Sequence, residues 1–202
     1  MTVPAFWASD GEQYAGFWSR FGAQILDALI FLPIAAVRVL LFRTRTTAML
    51  AFIPNLLLDL WFFVYLVYRY GGTPGKLILG IRITSDNGER VTFKQALLRH
   101  APSLVFGVLA AIGMAIALSQ VSDGMYDVTS WLGRPRLIST FAPRWYRYLS
   151  VVAGLWSWSE LAVMLTNSER RALHDFIAGT IVIKQEYVPP AEGAALPSSP
   201  AV

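Results

Sequence analysis

The chain has 202 residues, of which 55% are hydrophobic and only 15% are charged, with no cysteine. This composition excludes an ordinary soluble domain, and the absence of cysteine excludes disulfides, thiolate catalysis and cysteine-bound zinc or iron–sulfur centres. The formal net charge of +4 does not indicate a nucleic-acid partner, because basic residues of a membrane protein commonly contact anionic lipid headgroups.

Four long apolar runs dominate the chain, and each approaches the roughly 20 residues that a helix needs to cross a bilayer. They predict an all-α integral membrane protein, built as a four-helix transmembrane bundle. We place the spans at about residues 21–42, 48–68, 101–119 and 148–165. The transmembrane domain is expected to cover residues 1–187, and the proline-rich segment 188–202 is expected to be disordered.

The first predicted span carries an acidic residue, Asp27, about two helical turns inside its apolar run. Helical periodicity places Arg20, Gln24 and Asp27 close to one face. A carboxylate in hydrocarbon costs several kcal/mol, so we expect Asp27 to face protein, water or a partner charge. Two roles remain open for it. It either binds a proton or a cation, or it fixes this helix to a neighbour by a hydrogen bond or an ion pair, through Arg20 or Arg99.

The other spans also contain polar residues. Asn55 and Asp59 are four residues apart in the second span and therefore share a helix face. Their oxygens are of the kind that a sodium site needs, although two residues do not complete a coordination shell. Glu160 lies nearer the end of the fourth span, where we expect it to reach the interface. The candidate ion- or proton-binding residues are Arg20, Asp27, Asn55, Asp59 and Glu160.

The polar connection between spans two and three, residues 71–100, contains strand and turn signals. Apolar and polar residues alternate over 81–84, Asp86-Asn87-Gly88 is typical of a hairpin turn, and the alternation resumes over 91–93. This pattern predicts a small interfacial β-hairpin. Residues 179–184 are typical of a C-terminal strand, which we expect to pair with that hairpin.

The segment from Gly71 to Lys76 is superficially similar to a phosphate-binding loop. The similarity fails because Tyr70 occupies the position of the first glycine and Leu77 that of the Ser or Thr after the lysine. We interpret the segment as a turn at the membrane surface, in which Thr73 and Gly75 provide tight backbone geometry and Lys76 meets lipid headgroups.

The sequence contains no recognisable catalytic or cofactor-binding motif. The two histidines, His100 and His174, are too few and too separated to make a metal cluster by themselves, and no Ser/His/Asp triad or paired-carboxylate hydrolase site can be argued. We therefore predict no enzymatic activity, no metal and no cofactor. For His174 and Asp175 we expect a hydrogen-bonding site at a helix end, which holds the C-terminal segment against residues 71–100.

Three segments of the chain occur together in a characteristic order. They are the opening from Arg20 to Asp27, the segment GTPGKLILGIR at residues 72–82 and the segment LHDFIAGT at residues 173–180. In this order, over roughly residues 14–184, the chain resembles the RDD family of small multi-pass membrane proteins. The resemblance implies that Arg20 is the family's arginine and that Asp27 and Asp175 are its two aspartates. The family-motif residues are Arg20, Asp27, Thr73, Gly75, Lys76, Arg99, His174 and Asp175. Asp59 and Glu160 lie outside that pattern.

The resemblance also implies a bacterial-type protein of the cytoplasmic (inner) membrane. The family's function is largely undefined, and transport has been suggested for it, including cation/proton antiport by some members. One hypothesis is therefore a small transporter, in which Asp27 and Asp59 are carriers and Arg20 tunes their charge. The alternative is a non-transporting scaffold, assembly factor or accessory subunit of a larger membrane complex.

Partners and orientation follow from the predicted spans. We expect the chain to contact the lipid bilayer and either further copies of itself or other membrane proteins, and not nucleic acid. Four spans place both termini on one side. That side would carry ten basic residues against seven on the other, which favours cytoplasmic termini because lysine and arginine are enriched on the cytoplasmic side of membrane proteins.

Overall fold

The structure is a computed structural model that describes residues 13–187. The segment 188–202, for which disorder is expected, lies outside the described residues. In chain order the elements are α1 (Phe17–Leu41), α2 (Arg45–Leu50), α3 (Phe52–Leu60), a π-helical turn (Trp61–Tyr65), α4 (Leu66–Tyr70), α5 (Pro74–Ile78), β1 (Ile81–Ser85), α6 (Phe93–Gln120), α7 (Asp123–Val128), α8 (Arg134–Phe141), α9 (Arg144–Thr166), α10 (Leu173–Ala178), β2 (Thr180–Lys184) and a 3₁₀ turn (Gln185–Tyr187).

Four helical stretches in the described part of the chain are long and apolar enough to cross a membrane, which confirms the predicted four-span helical architecture. They are Phe17–Val37, Arg45–Ile78, Phe93–Gln120 and Arg144–Thr166. The third helix starts well before its apolar run because Thr92 caps it. The Thr92 hydroxyl accepts from the Gln95 N–H at 3.2 Å, and the Gln95 side chain accepts from the Thr92 N–H at 2.9 Å.

The second span is the least regular of the four. α3 runs directly into the π-helical turn, in which the Leu66 N–H donates to the Trp61 carbonyl, five residues earlier. Helix α4 then ends at Gly71, whose φ of 78° lies in the left-handed region that glycine adopts without strain. The chain continues through α5, which lies against α1. An irregular stretch of backbone therefore follows Asp59 within the second span.

A small antiparallel sheet forms at one end of the bundle, and we call this the sheet end. β1 pairs with β2, in a register that places Ile81 opposite Lys184 and Ser85 opposite Thr180. The expected pairing of the C-terminal strand is thus present, but the sheet has only these two strands within the described residues, because residues 91–93 do not form the second strand of a hairpin. They lead into α6 instead, because the capping of that helix by Thr92 ends the extended backbone there.

Two apolar clusters hold the two ends of the bundle. At the sheet end, Ile81, Ile83 and Val182 pack with Val64 and Val67 of the second span. At the opposite end, Ala48, Leu118, Val121 and Tyr126 form a second cluster. Between these clusters many large apolar side chains point outward, among them Ile53, Val105, Val151 and Leu155. Such continuous exposed apolar surface is what a lipid-facing bundle presents.

Candidate functional site

A buried ion cluster at the sheet end is centred on Asp175, which is fully buried. One carboxylate oxygen, Oδ2, accepts from Arg20 Nη1 and from the backbone N–H of Ala172, each at 3.0 Å. The other, Oδ1, is paired with Arg99 and accepts from the Thr180 hydroxyl at 3.3 Å. The Arg99 Nη1 also donates to that hydroxyl, at 2.9 Å. One carboxylate therefore joins α1, α6 and α10.

The position of Asp175 in α10 explains why the cluster forms there. Asp175 is the third residue of the short helix, where a carboxylate can accept from the N–H of the residue before the helix, here Ala172. Gly179 follows the helix with a φ of 61° and turns the chain into β2. The expectation of a hydrogen-bonding site at a helix end thus matches the geometry of Asp175, although its main partners are the two arginines.

The second polar cluster lies between α1 and α5 and contains Asp27, which is only 7% exposed. Its Oδ2 accepts from the Thr73 hydroxyl at 2.6 Å, and its Oδ1 accepts from the Gly75 N–H at 2.7 Å. Asp27 therefore faces protein, as its cost in lipid requires. The carboxylate of Asp27 binds neither Arg20 nor Arg99, which are both bound to Asp175.

The segment around Gly75 is packed inside the protein rather than lying as an open turn on the membrane surface. A Cβ at Gly75 would lie 2.8 Å from Asp27 Oδ1 and would also collide with the backbone carbonyl of Ala23. Glycine at this position therefore allows α5 to approach α1 closely. The expectation that Lys76 meets headgroups also needs correction, because its Nζ turns inward and donates to the Thr73 hydroxyl at 3.3 Å.

Glu160, which we expect to reach the interface, is paired with His174 in the structure. Its Oε1 lies 2.6 Å from His174 Nδ1, and the pair joins α9 to α10. The opposite ring nitrogen, Nε2, lies 3.8 Å from Asp175 Oδ1. The pKa of His174 is lowered from 6.5 to about 4, mainly by burial and also by the positive charge of Arg99, while the hydrogen bond to Glu160 opposes both effects.

This lowered pKa of His174 predicts a loss of stability in acid. The folded protein keeps His174 neutral down to about pH 4, whereas the unfolded chain takes up a proton below its ordinary pKa of 6.5. The stabilisation, about 3 kcal/mol at most, is therefore complete above pH 6.5 and is lost as the pH falls to about 4. Thermal unfolding in detergent at pH 7 and pH 4 should show a smaller difference for His174→Asn than for wild type. An equal difference in both proteins would contradict this assignment.

A third polar group lies within the second span and lines a cavity. Asp59 Oδ2 is 2.6 Å from His100 Nε2, and the His100 ring stacks on Phe63 with centroids 5.1 Å apart. The Asp59 side chain is 39% exposed, and together with Asn55 and Ser103 it lines a cavity of about 550 Å³ between α3 and α6. The sequence placed Asn55 and Asp59 on one face but did not identify His100 as their neighbour.

The polar residues singled out in the sequence thus divide into three groups by their direct contacts. Arg20, Arg99 and Asp175 meet at the sheet end beside Glu160 and His174. Asp27 binds Thr73 and Gly75, and Lys76 joins them through the Thr73 hydroxyl, whereas Asn55 and Asp59 lie on the cavity. Within residues 13–187, no three histidine or carboxylate side chains converge in the way that a metal site would need.

Comparisons with known proteins agree with this architecture. The chain is 26% identical to the uncharacterized protein YxaI of Bacillus subtilis (strain 168), over 58% of this chain and 93% of that protein. It is 24% identical to the uncharacterized membrane protein YteJ of the same organism, over 56% of this chain and 76% of that protein. No solved structure matches the chain. The family model described as the RDD family matches residues 14–179, and the chain is therefore a membrane protein that belongs to the RDD family.

Proposed function

We propose that this protein is a small proton-coupled cation transporter whose exchanging site is the Asp59–His100 pair. The observation that carries the proposal is a carboxylate, 39% exposed, that lines a cavity between α3 and α6 and lies 2.6 Å from an imidazole nitrogen. Ionisable residues within membrane spans are costly and commonly mark ion pathways and proton relays. An imidazole nitrogen can either donate or accept a proton, which suits a group that exchanges protons.

The two family aspartates are poor candidates for the exchanging group. Both oxygens of Asp27 are engaged by Thr73 and Gly75, and both oxygens of Asp175 are engaged by buried donors. A carboxylate that binds and releases a cation needs an approachable side, and neither of these has one within the contacts described. We therefore assign Arg20, Asp27 and Asp175 to holding the helices together and assign exchange to Asp59.

The geometry supports a simple exchange of charges. With His100 protonated, the Asp59–His100 pair is neutral overall. A monovalent cation that enters the cavity competes with His100 for the Asp59 carboxylate, and His100 then releases its proton. The Asn55 carbonyl, one helical turn away, supplies a second oxygen to the cation. One proton leaves for each cation bound, so the exchange is electroneutral.

The irregular backbone after Asp59 is consistent with this role. The π-helical turn begins at Trp61, two residues after the carboxylate, and contains Phe63, which stacks on the His100 ring. Single π-turns inside α-helices are often found at functional sites. Here the turn supports the imidazole that binds the cavity-lining carboxylate of Asp59, and we expect its rearrangement to accompany exchange.

The proposal includes a location and a state of assembly. We place the protein in the cytoplasmic membrane with the sheet end in the cytoplasm, because more basic residues lie at the sheet end than at the opposite one. Four spans barely enclose a path, so we expect an oligomer of identical chains. The proposal assigns no catalytic reaction and no cofactor to the protein.

The test is proton flux in reconstituted vesicles. A monovalent cation added outside wild-type proteoliposomes, whether sodium, potassium or the organic cation ethidium, should drive proton movement that is reported by an internal pH-sensitive dye. Asp59→Asn should lower this flux at least about tenfold, because the amide cannot pair with a cation as a carboxylate does. Asp123→Asn is the matched control, since Asp123 is 66% exposed, pairs with Arg45 at the opposite end and should leave the flux unchanged. Equal flux from wild-type, Asp59→Asn and empty vesicles would refute the proposal.

A second candidate function, a non-transporting scaffold or accessory subunit, is favoured by a different observation. Asp27 and Asp175, the aspartates that the resemblance marks, both serve to join helices. In that case Asp59→Asn should change nothing, whereas Asp27→Asn should lower the protein level or break co-purification with a native partner. Cation-driven proton flux from the purified protein alone would exclude the scaffold as the whole function.

A further inference from the structure

We propose that the cavity beside Asp59 takes a lipophilic organic cation, meaning an apolar body that carries one protonated or quaternary nitrogen. Transport of such a cation rests on the function proposed above, whereas its binding can be measured separately. The observation that carries the inference is the combination of one approachable carboxylate with walls that are otherwise almost entirely apolar.

The size of the cavity suits a small organic molecule. Its volume of about 550 Å³ lies within the range of roughly 300–1,000 Å³ that is usual for small-molecule sites. Most of its wall consists of aliphatic and aromatic side chains, such as Phe52, Leu56, Leu104 and Val108. A hydrated metal ion would leave this apolar wall unused, whereas the body of an organic cation would cover it.

The polar groups of the cavity are too few for a bare alkali ion. Such an ion needs several oxygens to replace its water shell, whereas the wall offers the side chains of Asn55, Asp59, Ser103 and Tyr146 among sixteen lining residues. A single carboxylate is enough to pair with the charged nitrogen of an organic cation, because the organic groups around that nitrogen take the place of a water shell. The rings of Phe52 and Tyr146 add faces on which an organic cation is stabilised.

The cavity is also open to the side from which such a molecule would come. Ile53 and Ile112 on its wall are 70% and 47% exposed, and both belong to helices that are long and apolar enough to cross a membrane. A lipophilic cation concentrates in the bilayer and reaches this wall laterally. The cationic nitrogen then replaces His100 as the partner of the Asp59 carboxylate. The proton of His100 is released in exchange for the bound positive charge.

Two variants separate the charge of the site from its volume. Asp59→Asn removes the carboxylate and leaves the space. Gly107→Leu fills the space, because Gly107 lines the cavity and a Cβ there meets nothing within 4 Å. Gly154→Leu is the matched control. Gly154 lies in another span, a Cβ there also meets nothing within 4 Å, and the residue does not line this cavity.

The probe is ethidium, whose fluorescence anisotropy reports its binding to the purified protein in detergent. Wild type and Gly154→Leu should bind ethidium, and tetraphenylphosphonium should displace it, whereas the anion tetraphenylborate, which has the same shape, should not. Asp59→Asn and Gly107→Leu should each weaken binding about tenfold or more, while their thermal unfolding stays close to that of wild type. Loss of binding only in variants that are also unfolded would overturn the assignment, as would equal binding by all four proteins.

The binding and flux measurements together distinguish the two proposals. If sodium or potassium drives proton flux through Asp59 but ethidium neither binds nor drives flux, the substrate class is wrong and the transport function stands. If ethidium binds in an Asp59-dependent manner but no cation drives proton flux, the cavity is a ligand site and the transport function is wrong. If ethidium drives proton flux that Asp59→Asn and Gly107→Leu abolish, both proposals are supported.

Discussion

Asp175→Ala is expected to be the most damaging single substitution in the polar clusters and to lower the free energy of unfolding by about 3–5 kcal/mol. Arg20 and Arg99 both bind this carboxylate, and their side chains are each only 10% exposed. Removing the carboxylate would leave two guanidinium groups facing each other in a buried site without their shared counter-charge. In cells, a loss of this size should appear as strongly reduced accumulation of the protein.

The control and the rescue for Asp175 follow from the same physical argument. Glu169→Gln removes an ion pair of 2.8 Å with Arg171, but the Glu169 side chain is 44% exposed, so the cost should stay below about 1 kcal/mol. The triple variant Arg20→Met, Arg99→Met and Asp175→Leu should recover much of the stability, because apolar side chains often replace a buried ion cluster without loss. Thermal unfolding in detergent measures the stability of all three variants. If Asp175→Ala unfolds at the temperature of Glu169→Gln, the cluster does not stabilise the fold as proposed.

The helical architecture could be predicted from sequence because span length and apolarity are properties of contiguous residues. The four apolar runs correspond to four long helices, and the alternation at 81–84 corresponds to β1. The prediction of a strand at residues 91–93 was wrong because two local sequence signals competed there. The apolar alternation favoured a strand, whereas Thr92 and Gln95 form a capping box, and the capping box determines the backbone.

The positions of the polar residues were visible in sequence, but most of their partners were not. A charge inside an apolar run marks Asp27 and Asp59 directly, since lipid excludes it. Which donor satisfies each carboxylate depends on tertiary packing across 46 residues for Asp27 and Thr73, and across 155 for Arg20 and Asp175. His100 lies 41 residues from Asp59 and was identified only as one of two histidines. The one sequence signal for His100 was its position in the segment that leads into the third span.

Gly75→Ala is expected to cost about 2–4 kcal/mol, which is large for the addition of one methyl group. The new Cβ would lie 2.8 Å from Asp27 Oδ1 and would meet the Ala23 carbonyl, which is backbone and cannot rotate away. Helix α5 would have to move off α1. The Gly75 N–H and the Thr73 hydroxyl would then be drawn away from the Asp27 carboxylate, which would remain buried without these two donors.

Gly154→Ala is the matched control, because it adds the same methyl group within a helix where nothing lies within 4 Å. It should be neutral or stabilise the protein by up to about 1 kcal/mol, since alanine favours the helix over glycine. Asp27→Asn should cost less than Gly75→Ala, because the amide keeps one acceptor for the Gly75 N–H. Asp27→Asn should also retain cation-driven proton flux per folded molecule, since the flux is assigned to Asp59. If Gly75→Ala is as stable as Gly154→Ala, the contact of α5 with α1 is not as close as described. If Asp27→Asn remains folded but loses all flux, Asp27 is a carrier after all and not a helix clamp.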